Sequence, residues 1–178
     1  MGTLTDVGPT GLVPAAWLVT VAAHASLVAE RTLLIALVVM DVLLLAFVVA
    51  SRGEMDGPVL AVWRRVLVAG FVVTVAGTAG LLLDPNVTPL VAVGLYGWML
   101  LPGFAYVGTA RAHPAGTYRT VYFGSAALSL AGTGVYAVGQ VAGVNPALVA
   151  GLAVVGLGQT VGIVAAAYQN AGRSRTLR

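Results

Sequence analysis

Residues 35–47 read IALVVMDVLLLAF. Every side chain but one suits hydrocarbon, and the exception, Asp41, sits at the centre. A surface helix of a soluble protein shows a polar stripe once per turn. This stretch has no such stripe, and the apolar run around it extends over about 20 residues, the length that crosses a bilayer. The first inference is therefore a membrane helix, and the first question is why it carries a carboxylate.

The rest of the chain agrees with lipid as the solvent. Of 178 residues, 59% are hydrophobic and 8% charged, against about 25% charged in an ordinary soluble domain. Mean hydropathy is +0.97. Such a composition leaves too few polar groups to cover a soluble surface, and the length suits one membrane domain spanning 1–178. There is no cysteine, which excludes disulfides and thiolate metal sites. The net charge of +3 comes from arginines alone among the basic residues. It sits in loops, so it does not point to nucleic acid.

Five stretches qualify as spans, at about 32–51, 63–83, 89–110, 119–140 and 146–168. Proline with glycine or asparagine marks the breaks DPNVTP (84–89), AHPAGT (112–117) and AGVNP (142–146). Arg52, Arg64 and Arg65 fall between the first two spans. Arg111 and Arg119 fall between the third and fourth, and Arg173, Arg175 and Arg178 follow the last. The loops at 84–89 and 141–146 have none. This alternation predicts a cytoplasmic C-terminus and tail (169–178) in a multi-pass protein of the cell membrane. A further apolar segment, 11–29, is expected to be an interfacial helix, a sixth span, or one helix continuous with 32–51. As a sixth span it needs a tight turn at Glu30-Arg31. Ala23-His24-Ala25 resembles a signal-peptidase site, but Asp6 and the lack of positive charge upstream argue against a signal peptide. The expected fold is an all-α bundle of five or six transmembrane helices.

AGTAG (76–80) followed by TPLVAVGL (88–95) echoes AGTG (131–134) followed by NPALVAGL (145–152). The pattern predicts a repeated two-helix hairpin, parallel because both copies start and end on the same side. Parallel repeats occur in transporters. Helices in lipid associate through small residues and hydrogen bonds. Gly151, Gly158 and Gly162, and Gly70 with Gly77, are the expected packing glycines. Pro102-Gly103 should kink the span at 89–110 and free a carbonyl, a candidate gate.

A charged Asp at mid-span costs about 3 kcal/mol on insertion scales, which a proton or a partner can lower. Counted along the helices from the arginine-poor side, Asp41 and Thr74 lie about 15 Å deep, Gln159 and Thr160 about 20 Å, and His24 about 9 Å. These five are the candidate proton, ion or substrate residues. A bis-histidine haem is not expected, because the second histidine, His113, falls in a loop, and no cofactor is expected. The chain has no HExxH, GxSxG, P-loop or lysine, so an enzyme is not expected. The residues read best as a small proton- or cation-linked transporter or channel centred on Asp41. The alternative is a non-catalytic structural or accessory subunit. The expected partners are the lipid bilayer, further copies of the chain, or a larger membrane complex.

Overall fold

The computed structural model describes residues 3–50, 58–83 and 88–176, with side chains from Thr10 to Gln169 within those limits. Among them are six α-helices and no strand: α1 (Thr3–His24), α2 (Glu30–Ala50), α3 (Pro58–Leu82), α4 (Thr88–Ala112), α5 (Thr117–Ala142) and α6 (Asn145–Thr176). Helices α2 to α6 are long and apolar enough to cross a membrane; α1 adds a shorter apolar stretch, Thr10–His24. Residues 51–57 with Arg52, residues 84–87 of DPNVTP, Arg178 and the side chains of Arg173 and Arg175 lie outside the described residues.

The N-terminal segment differs from the expected 11–29. Helix α1 begins earlier and ends at His24. It is not continuous with α2, and Glu30-Arg31 is not the turn. The reversal occupies residues 25–29. The Leu27 N–H donates to the Ala22 carbonyl and the Ser26 N–H to the Ala23 carbonyl, with Ser26 left-handed at φ 60. That is a Schellman cap with serine where glycine is usual, so no glycine or proline announces it. Helix α5 ends in the same conformation at Gly143, φ 69, with Val144 N–H on the Gly139 carbonyl. Gly143→Ala should destabilise the fold by about 1 kcal/mol, because an L-residue resists that φ. Unfolding in mixed micelles would measure it.

Packing runs in a ring, with α2 on α3, α3 on α4, α4 on α5, α5 on α6 and α6 on α1. Consecutive α1 and α2 barely touch. Two hairpins cross at paired glycines. A Cβ added to Gly94 would lie 3.0 Å from the Gly77 Cα, and one added to Gly151 would lie 2.7 Å from the Gly132 carbonyl oxygen. Gly158 is pressed against Leu128 and Ser125 of α5, and Gly162 against the Tyr106 ring of α4. The expected packing glycines thus serve seams inside the chain. Trp17, Met99, Tyr136, Leu152 and Val155 form one core cluster; Tyr106, Ala110, Tyr122 and Ala126 form a second. Outside, Val38, Val42 and Leu45 of α2 and Val72, Phe104 and Val138 elsewhere are exposed, an apolar surface suited to lipid.

Candidate functional site

The buried polar groups form a chain across the bundle. It starts on α1, where Trp17 Nε1 donates to Gln159 Oε1 of α6 at 3.1 Å. Gln159 Nε2 in turn donates to the Trp98 carbonyl of α4 at 2.8 Å. That acceptor has a specific origin. Pro102 lies inside α4 and has no N–H, so the carbonyl four residues earlier, that of Trp98, loses its helical donor. Gln159 replaces it. The carbonyl that the sequence led one to expect free is therefore occupied, and Pro102 and Gly103 are both buried.

The chain continues into α3. Trp98 Nε1 donates to Thr74 Oγ1 at 2.8 Å, and Thr74 Oγ1 donates to the Gly70 carbonyl at 2.7 Å. Gly70 makes this possible, because a Cβ there would lie 2.7 Å from the indole Cη2. Tyr106 donates from its phenol to the Gln159 carbonyl at 2.9 Å, tying α4 to α6 a second time. Thr74 and Gln159 are nearly inaccessible, so each bond replaces one that water cannot supply.

Asp41 stands at the far end of this chain, on α2. Its Oδ2 lies 2.7 Å from Thr78 Oγ1 of α3. Thr78 Oγ1 also lies 3.0 Å from the Thr74 carbonyl. The hydroxyl has one proton and two acceptors within reach. Asp41 Oδ1 is buried and has no hydrogen-bond partner among the described residues. Among the described residues of α2, Leu44 is the one that is buried.

Thr78 is the residue that sequence reasoning missed. Helix-end counting placed Thr74 level with Asp41; the structure pairs Asp41 one turn further along α3. The available signal was the threonine inside AGTAG, one turn from Thr74 and flanked by small residues. Of the other expected neighbours, Thr160 is half-buried and joins none of these hydrogen bonds among the described residues. His24 is exposed at the end of α1, with Nε2 2.9 Å from the Tyr136 phenol and Nδ1 3.0 Å from the Thr20 carbonyl. No protein-family model, curated protein or solved structure matches this chain. The site is therefore read from its own geometry.

A separate cluster occupies the end where α4 finishes and α5 begins. Trp63 Nε1 donates to Thr109 Oγ1 at 3.1 Å. The Tyr106 and Tyr122 rings stack at 6.2 Å, and the Tyr122 phenol donates to Gln169 Oε1 at 3.0 Å. His113 joins through the same Gln169 side chain. Tyr122 is buried in the core. His24 lies near Tyr136, whose ring contacts Tyr96 of α4. From Tyr96 to the end of α4 beside His113 the helix rises about 25 Å. The two histidines thus sit at opposite ends and cannot share a haem. Among the described residues no group of three or more His, Asp or Glu side chains could hold a metal ion.

Proposed function

We propose that the chain is a small multi-pass protein of the cell membrane, in which Asp41 is a proton-exchanging carboxyl of a proton- or cation-linked transporter or channel. One observation carries this reading: Thr78 has a single proton for two acceptors, while Asp41 Oδ1 has no partner among the described residues. A protonated Asp41 satisfies the trio. Its own hydroxyl donates to Thr78 Oγ1, and Thr78 donates to the Thr74 carbonyl. Removing that proton makes Thr78 turn to the carboxylate and release the carbonyl. Loading and unloading a proton therefore changes which helix Thr78 bonds, at the boundary between α2 and the remaining helices. An intramembrane acid is a functional candidate by default.

In this reading the arginine-bearing ends and the C-terminus face the cytoplasm. The matched glycine crossings, Gly77 with Gly94 and Gly132 with Gly151, support a duplicated hairpin.

Proton flux into liposomes carrying a pH-sensitive dye tests the proposal. Wild type should conduct, and Asp41→Asn at equal folded amount should fall to the level of protein-free vesicles with unchanged stability. Equal flux in both proteins would refute it. A second reading, an accessory subunit of a larger complex, draws on the saturation of Trp17, Gln159, Trp98 and Thr74 by one another. There Asp41→Asn is silent, Asp41→Leu destabilises the bundle, and a second chain copurifies.

A further inference from the structure

The surface of α3 and α4 carries two adjoining open grooves. The first, of about 260 Å³, is lined by Arg64, Arg65, Val68 and Ala69. The second, of about 250 Å³, runs between Arg65 and Ala69 on α3 and Leu101, Phe104 and Ala105 on α4. Arg65 and Ala69 border both. Arg64 and Arg65 are exposed, and neither forms an ion pair among the described residues. Phe104 is 61% exposed beside them. Two unpaired cations thus stand at one end of a trough with hydrocarbon walls.

Depth decides what fits. From Arg65 to Leu82 the α3 helix rises about 25 Å, close to the hydrocarbon thickness of about 30 Å. The guanidiniums therefore fall at the boundary where phospholipid phosphates lie. Trp63, an interface-preferring residue type, is one step further out. Ala69, Leu101 and Phe104 lie on the hydrocarbon side of the two arginines. Arg donates to phosphate oxygens in a planar fork, and basic pockets between transmembrane helices take anionic head groups.

We infer that this trough binds one anionic phospholipid, its phosphate on Arg64 and Arg65 and an acyl chain along Ala69, Leu101 and Phe104. This assignment rests on the membrane reading but not on any role for Asp41. The apolar walls favour the lipid over free phosphate, and the charge favours an anionic over a zwitterionic head group.

The test is native mass spectrometry of the purified full chain with phosphatidylglycerol and phosphatidylcholine of identical acyl chains, and with inorganic phosphate as competitor. Wild type should retain one phosphatidylglycerol with a preference of about thirtyfold, the product of two surface arginines. Arg64→Gln and Arg65→Gln should each cut that preference about fivefold, and the pair together should abolish it, with unfolding in phosphatidylcholine micelles unchanged. Should the double variant not fold, the single variants carry the comparison. Ala69→Leu, which fills the trough, should lower retention of both lipids. Equal retention of the two lipids by wild type, an undiminished preference in the arginine variants, or displacement by inorganic phosphate would each overturn the assignment. Loss of Asp41-dependent flux would leave these outcomes untouched, so the two proposals fail separately.

Discussion

Gly151→Ala is expected to destabilise the bundle by about 2 kcal/mol, in the middle of the range for overpacking, and Gly151→Leu by more. The added Cβ would lie 2.6 Å from the Tyr136 amide nitrogen and 2.7 Å from the Gly132 carbonyl oxygen. Both are backbone atoms, so no rotamer change relieves the contact; α5 and α6 must separate. That matters more in lipid than in water, because close packing is a main source of helix association there. Two comparisons isolate the cause. Gly134 of α5 has nothing within 4 Å of a built Cβ, so Gly134→Ala should be neutral or mildly stabilising. Gly77→Ala meets the Gly94 Cα at 3.5 Å, an ordinary contact, and should be tolerated. Denaturation by sodium dodecyl sulfate in mixed micelles gives all three values. Equal losses at Gly134 and Gly151 would show that the seam is not the reason.

Gln159→Leu should cost about 2 kcal/mol. The estimate weighs the penalty for leaving the Trp17 indole N–H and the Trp98 carbonyl without partners against the smaller hydrogen-bond energies measured within bilayers. The origin of one of those orphans makes a sharper test possible. In a Pro102→Ala background, residue 102 regains an N–H that can serve the Trp98 carbonyl. Gln159→Leu should then cost about 1 kcal/mol less than in wild type. A double-mutant cycle measures this coupling directly. Additive losses would mean that Gln159 does not act as the substitute donor.

The fold class is legible because the hydrophobic runs far exceed anything a soluble chain needs. Helix bounds are readable wherever proline and glycine mark the breaks, as at His113–Gly116. The end of α1 is not, because Ser26 takes a conformation that its side chain does not advertise. In the candidate site, Asp41, Thr74 and Gln159 stand out as polar residues in apolar company, and Pro102 announces a freed carbonyl. Their partners do not stand out. Thr78, Trp17 and Trp98 satisfy them through contacts set by helix rotation and offset along the membrane normal. Counting residues from span ends supplies neither quantity. The glycines at 77, 94, 132 and 151 were visible as small residues, but which helix each one meets depends on the ring order.

The ring closes between its first and last members. Trp17 of α1 finds Gln159 of α6, 142 positions away along the chain, while α3 with α4 and α5 with α6 join across short loops. During synthesis at 5–20 residues per second, on the order of ten seconds separate the two residues. Until then the Trp17 indole has no acceptor on α6 and the carbonyl opposite Pro102 has no donor. The hairpins can assemble in order of emergence, but α1 waits for α6. Its docking is the step that reports that α6 has been made.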